Sequence, residues 1–543
     1  MPLDLPDEVL EVILGDVDGL DLVQSCQQVN KQFRYLIKSN ISLQLRIKCA
    51  MANVVPSNSS KFTKTEILQA VREYYESWRT LSWKGRSTLK IPYDAMNWSV
   101  GPNIDAAAPS LVLHFDEPRQ SMLAIFRTPS ELRRVPYDVW ATPDICFWAD
   151  MWAVDAGQDL FVATNVEREA GPKFACIKLH IFSLSTGLPH PSSMGILQST
   201  GTTTFGRPVG CTALALAISG CHVGQTSFSG QFGEANRNYY VHVWNWKTGA
   251  EKLIISFPTS MSARDITFLS EDRILISTTT EARTCELGVV EINGDLRQGA
   301  YADLGQAKFC FPKLQAQTYC SGLRLFCTKN TSCKPPPGLD IPFYPSDDSR
   351  ILLFSMRFSE KHNDHIRDSS ATYQMFVRAS ALGRLCQDIS CAEGPVSFAW
   401  STWSQHARLE SENDNYSSIH MTRVSHSRML ETTRTIDGGI SKEDQESDYF
   451  RNRAPAATIR DFLPPIALRR DLEELITPDD CRNALEPSVL DPQWVFEGKV
   501  KSYLPYREVN LNLRFENLKP RAIVNDGVIA LPTVGGLPEL CFI

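Results

Sequence analysis

Residues 241–249 read VHVWNWKTG, and residues 179–187 read LHIFSLSTG. Both alternate, both carry an aromatic residue at the fourth place, and both end on Thr-Gly; they stand 62 residues apart (179 to 241). Alternation sends every second side chain to one face of a strand, and the closing glycine marks a turn. A second pair, WAVDAGQDLFVAT (152–164) and ITFLSEDRILIST (266–278), reads as strand, turn, strand in each copy. Its offset of 114 residues (152 to 266) is close to twice the first.

A strand-turn-strand unit repeated at a fixed period is the mark of a β-propeller, in which each blade buries its faces against its neighbours. The 241–249 segment resembles the end of a WD-repeat blade, with Asn245 where that family usually has Asp. At about 60 residues per unit, residues 86–543 are expected to form an all-β propeller of seven or eight blades. This period exceeds that of a WD repeat, so insertions are expected: Thr331–Ser346, Ser359–Ser370, Glu410–Ser418 and Thr435–Pro492, the last with a short helical pattern over Leu468–Ile476. The carboxyl end returns to strands with a hairpin around Asn525-Asp526-Gly527. A strand there is suitably placed to complete a blade begun at the propeller's start.

The amino-terminal 48 residues read differently. Pro6 suits a first helical turn, Asp7 and Glu8 favour its positive end, and Val9, Leu10, Ile13 and Leu14 make an apolar face ahead of Gly15. Leu20, Val23 and Cys26 recur at helical spacing, and Asn30 is placed to cap a third helix containing Phe33, Leu36 and Ile37. So small a segment has more apolar positions than it can bury alone, which calls for a partner.

Leu5, Pro6, Glu8, Leu10, Ile13, Leu14, Leu20, Leu22, Val29, Phe33, Leu36 and Ile37 follow the F-box spacing without a gap. The segment resembles an F-box, although Val17 stands where the family more often has Leu, and Phe33 where Trp is also common. The resemblance implies a three-helix module that docks on the Skp-type adaptor of SCF (Skp–cullin–F-box) ubiquitin ligases and, through it, on cullin. Val9 and Cys26 join those twelve residues as the expected adaptor contacts. The propeller would then bind a target protein, with no substrate residue assignable.

Between the two parts, Phe62, Thr63, Glu66 and Ile67 occupy the positions of a capping box with a hydrophobic staple. A helix is expected from Lys64 to Leu81, with Ile67, Leu68, Val71, Tyr74, Tyr75 and Trp78 on one face. Asn53–Lys61, with Pro56 and several Asn and Ser residues, reads as a flexible joint. The expected division is 1–48 for the F-box, 49–85 for linker and bridging helix, and 86–543 for the propeller.

Composition narrows the function. The chain has 543 residues, 43% hydrophobic and 22% charged, with 55 Lys and Arg against 62 Asp and Glu for a net charge of −7. No chain-wide positive field is available for nucleic acid, and no apolar run approaches the roughly 20 residues a bilayer needs. Seven acids and no Lys or Arg in the first 21 residues are the reverse of a secretory or transit signal, which points to the cytosol or nucleus. The fifteen cysteines contain no C-x-x-C pair and read as free thiols, so neither structural zinc nor a RING-type ligase is expected. Cys310, Cys320, Cys327 and Cys333 form only a loose group, and His362 and His365 a lone pair. Phosphate loops, nucleophile elbows and H-E-x-x-H helices are missing, so no cofactor, no metal and no catalytic residue is expected. Trp148, Trp152, Trp244, Trp246, Trp400 and Trp403 read as blade core. The preferred reading is a non-enzymatic F-box substrate receptor; a scaffold outside the ligase and a propeller enzyme are the alternatives.

Overall fold

The structure is a computed structural model that describes residues 5–80, 85–88, 105–107, 110–117, 120–127, 129–136, 138–141, 147, 149–168, 175–200, 211–229, 238–280, 284–292, 294–327, 334–362, 365–387, 389, 394–411, 421–425, 427–433, 456–462, 481–491, 495–510, 518–524, 527–532 and 539–542. Among the described residues, seven antiparallel up-and-down blades follow the amino-terminal helices. Their first strands are Asp105–Ala107, Met151–Asp155, Cys211–Ser219, Ser262–Ser270, Thr318–Phe326, Met421–Ser425 and Leu518–Val524. Each first strand packs beside that of the next blade, from blade one through blade seven.

Blade seven closes the ring. It contains Leu518–Val524, Gly527–Pro532 and Glu539–Phe542, and its fourth strand is Gly85–Thr88 from before blade one. Gly85 opposes Phe542 and Thr88 opposes Glu539 in that antiparallel pair. The two ends of the propeller are thus joined by backbone hydrogen bonds, as the late strand in the sequence suggested. Val524 opposes Gly527 in the expected hairpin.

The repeated sequences occupy equivalent places. Residues 179–187 and 241–249 contain the ends of the third strands of blades two and three, and each leads into a turn in which glycine adopts a left-handed φ, +69° at Gly187 and +72° at Gly249. An L side chain is strained there, which is why both copies end on glycine. Asn245 takes the place of Asp without loss, because its Oδ1 accepts hydrogen bonds from Lys247 N at 3.0 Å and Thr248 N at 3.1 Å. The 152–164 and 266–278 segments are the first hairpins of blades two and four, two blades apart.

Extra strands lengthen the period. Arg297–Ala300 runs parallel to Glu251–Phe257 on the edge of blade three, Val396–Phe398 does the same to Ala307–Cys310 of blade four, and Cys481–Ala484 extends blade six. Each covers an outer edge whose unpaired N–H and C=O groups would otherwise invite another chain. Trp152 is buried among residues of blade two, Trp244, Trp246 and Trp403 are buried where neighbouring blades meet, and Trp400 is half-buried; Trp148 lies outside the described residues.

Three expected insertions need correction. Ser359–Ser370 belongs to a long hairpin of blade five, Ile351–His362 with His365–Arg378, whose ladder continues to His362 opposite His365. The 435–492 segment contains Ala456–Asp461, the third strand of blade six, a short alternating run that charged flanks concealed. Within 331–346, Phe343–Pro345 is a strand. Most of Glu410–Ser418 and the 468–476 pattern lie outside the described residues. Among those residues, no helix is long and apolar enough to cross a membrane, and no group of three or more His, Cys, Asp or Glu could hold a metal ion.

Candidate functional site

The amino-terminal module begins with helix Asp7–Asp16, which turns Leu10 and Leu14 inward. Asp18 then caps a continuous helical stretch over residues 19–29, accepting from Leu20 N at 2.8 Å. Gly19 is obligatory here: a Cβ would stand 2.6 Å from the Arg46 carbonyl oxygen. Asn30 caps helix Lys31–Ser39 through a 2.7 Å bond from Phe33 N, and Gln32 Nε2 donates to Asp7 Oδ1 at 2.8 Å, which ties the starts of the first and third helices. A further helix, Ile41–Ala52, crosses the expected boundary at residue 48; Asn40 caps it by accepting from Ser42 N and Leu43 N.

The expected adaptor contacts separate into three groups. Leu10, Leu14, Leu22, Leu36 and Ile37 are buried in the module itself. Leu5, Leu20, Cys26 and Phe33 are half-buried, and Pro6, Glu8, Val9, Ile13 and Val29 are exposed. The single apolar face expected for the first helix is two faces. At 100° per residue Leu10 and Leu14 share one side, while Val9, Val12 and Ile13, at i, i+3 and i+4, share another that faces solvent. Val12 at 70% exposed and Tyr35 at 68% escaped the sequence reading. The i, i+3, i+4 spacing from Val9 was the signal for Val12; Tyr35 had none. Glu8 and Asp16, both exposed, lie beside this outward stripe at 100° per residue.

The module is fastened to the propeller. Asn53 ends helix Ile41–Ala52 with a left-handed φ of +55°, which turns the chain into strand Val54–Pro56. That strand pairs antiparallel with Phe343–Pro345, in the connection between the first two strands of blade five. Ser57 N donates to Pro342 O and Ser346 N to Asn53 O, both at 2.9 Å, while Ser59 Oγ donates to Asp340 Oδ1 at 2.9 Å and Lys61 pairs with the same carboxylate. The flexible joint expected at 53–61 is therefore a paired segment: Val54 and Val55 are β-branched residues that suit a strand once an edge is offered.

The bridging helix Lys64–Thr80 starts as its capping box predicted, with Thr63 N donating to Glu66 Oε2 at 2.9 Å and Glu66 N to Thr63 Oγ1 at 3.3 Å. Its buried Ile67, Leu68, Val71, Tyr74 and Trp78 share one apolar cluster with Leu14, Leu22 and Ile37 of the module and with Leu132, Phe343, Leu430, Ile459 and Val509 of the propeller. At its end Arg428 Nη1 donates to Tyr74 Oη at 2.7 Å, the guanidinium lies 4.0 Å from the Trp78 ring centre, and Asp461 Oδ2 is 3.3 Å from both Arg428 Nε and Arg507 Nη2. Burial works to lower the Arg428 pKa, but the Asp461 carboxylate and the Tyr74 hydroxyl together outweigh it and hold that pKa raised.

Residues 2–45 match the F-box domain family. The amino-terminal module is an F-box. No curated protein matches the chain. Among solved structures it is similar to the WD40 domain of coronin from Toxoplasma gondii, at 9% identity, covering 84% of this chain and 86% of that one with a TM-score of 0.36. It is also similar to the β-propeller domain of Cps50 (Swd1) from Myceliophteria thermophila, at 10% identity, covering 73% and 97% with a TM-score of 0.27. In this chain the F-box sits on the propeller face that carries the loops between first and second and between third and fourth strands, since Phe343 and Leu132 come from such loops.

Proposed function

We propose that the chain is a substrate receptor of an SCF-type ubiquitin ligase, with the F-box on the Skp-type adaptor and the propeller holding a target protein. The observation that carries this reading is the outward stripe Val9–Val12–Ile13 on an F-box whose bridging helix shares a core with the propeller. Exposed apolar side chains beside the acids Glu8 and Asp16 suit a partner interface. The chain itself performs no bond chemistry; it raises the effective concentration of target lysines near a ubiquitin-charged enzyme held elsewhere in the complex.

Because helix Ile41–Ala52 packs on the bridging helix, deleting the F-box would bare a large apolar surface. The test therefore uses the full chain with V9D, V12D and I13D. Expressed beside the wild type, it is expected to occupy targets without delivering them, and targets identified by affinity mass spectrometry should live longer in proportion to the variant's share. Unchanged turnover despite binding, or an adaptor complex that never contains cullin, would favour a scaffold role instead.

A further inference from the structure

Cys285 opens the third strand of blade four, and Cys320 lies near the start of the first strand of blade five. Both are buried in one apolar cluster that joins these two blades. There the Cys285 thiol donates a hydrogen bond to the Cys320 sulfur. A β-bulge between Cys320 and Gly322 takes Ser321 out of the ladder, and the Cys320 thiol donates to the Gly322 carbonyl oxygen at 3.3 Å. Two thiols from different blades are thus held against each other.

A small polar cleft lies beside the pair. Ser321 and Gly322, which follow Cys320, line it together with Ser262, Arg264 and Thr279, the last of which is the ladder partner of Cys285. The cleft brings solvent to the backbone next to two sulfurs whose residues are themselves only 6% and 5% exposed. The two thiols are unequal. Burial keeps Cys285 protonated, well above the ordinary thiol range. Cys320 is held below that range by the bond from Cys285, by the Gly322 backbone and by the positive charge of Arg264, against the opposing effect of burial. The thiolate is the nucleophilic form, so Cys320 is the attacking sulfur and Cys285 the resolving one.

We propose that Cys285 and Cys320 are an oxidisable pair that hydrogen peroxide converts to a disulfide bridging blades four and five. In the first step the Cys320 thiolate attacks one peroxide oxygen, the O–O bond breaks, and the departing hydroxide takes up a proton to leave as water. Cys320 is then a sulfenic acid. In the second step the Cys285 sulfur attacks the Cys320 sulfur, the S–O bond breaks, and the oxygen takes the Cys285 proton to leave as a second water. Two thiols are oxidised by two electrons, and one peroxide is reduced to two waters. First and third strands run toward the F-box, because the first-to-second connection of blade five holds the linker. The bridge therefore forms at the far end of the seam and leaves the F-box as it is.

The test treats the reduced, folded full chain with hydrogen peroxide, quenches with catalase, unfolds it, blocks free thiols with N-ethylmaleimide and digests with trypsin without reductant. Cys285 and Cys320 fall in separate tryptic peptides, Thr284–Arg297 and Leu314–Arg324, each with a single cysteine. Mass spectrometry should find these two joined, about 2 Da lighter than their sum, and separated again by dithiothreitol. C285S should leave Cys320 as a sulfenic acid that dimedone labels, C320S should abolish the bridge, and R264Q should slow its formation about threefold. Melting temperature and adaptor binding show that each variant is folded. C386S, which alters a different buried thiol, should have no effect. Recovery of both peptides fully alkylated while other cysteines are oxidised, or Cys320 joined to a cysteine other than Cys285, would overturn the proposal. The wild-type map decides the matter even where a variant fails to fold.

Discussion

Arg428, at the start of a blade-six strand, donates a 2.7 Å hydrogen bond to the phenolic oxygen of Tyr74 on the bridging helix. The same guanidinium covers Trp78 and pairs with Asp461, so one buried cation joins the F-box side of the molecule to the propeller. Arg428→Ala removes one of the two guanidiniums paired with Asp461 and the hydrogen bond donated to the Tyr74 hydroxyl. The expected loss is about 3–5 kcal/mol, because removing one partner of a buried pair strands the other. Tyr74→Phe keeps the ring and should cost about 0.5–1.5 kcal/mol. Urea unfolding of both variants checks this; equal effects would mean that Arg428 contributes no more than its hydrogen bond to Tyr74.

The linker clamp gives a second expectation. Phe343 is buried and meets Tyr74 edge to face at 5.1 Å, whereas the Lys61–Asp340 pair is solvent-exposed. Phe343→Ala should cost about 3–5 kcal/mol through a cavity at the joint, and it should speed tryptic cleavage after Lys61 by releasing strand Val54–Pro56. Asp340→Ala should cost no more than about 1 kcal/mol. Cleavage after Lys61 at the wild-type rate in the Phe343 variant would show that the strand pairing does not hold the linker.

Much of this architecture was legible in the sequence. The Thr-Gly ends at 187 and 249 revealed equivalent strands because a left-handed turn demands glycine, and Thr63 with Glu66 revealed a helix start because a capping box is local chemistry. What depends on distant residues was not legible. Val54–Pro56 becomes a strand only because Phe343–Pro345 supplies an edge nearly three hundred residues away. The two faces of the first helix could not be told apart by hydropathy, since Leu10 and Val9 are equally apolar and only packing against the other helices decides which is buried. The bulges at Arg264 and Ser321, in the first strands of blades four and five, leave no mark on a pattern of alternation.

Asp265 provides a pH-dependent expectation. Burial pushes its carboxyl up to about 6, against the lowering influence of Arg324, the Leu325 N–H and Arg264. The folded state therefore holds this proton more tightly than the unfolded chain, whose Asp titrates near 3.9. The resulting stability is full below about pH 4 and is lost as pH rises through about 6. Asp265→Asn, which keeps an acceptor for Leu325 N–H, should thus raise the unfolding midpoint relative to wild type at pH 7.5 and give little gain at pH 4.5. A constant difference between the two proteins across that range would mean that Asp265 does not titrate there.

The most direct test of the receptor reading is calorimetric titration of the purified full chain with a Skp-type adaptor. Wild type should bind, and the V9D, V12D, I13D protein should bind at least a hundredfold more weakly while keeping its helical circular dichroism and its melting temperature, because those side chains face solvent in the free chain. Leu10→Asp should instead lower the melting temperature itself, since Leu10 is 6% exposed. Undiminished adaptor binding by the folded triple variant would contradict the account.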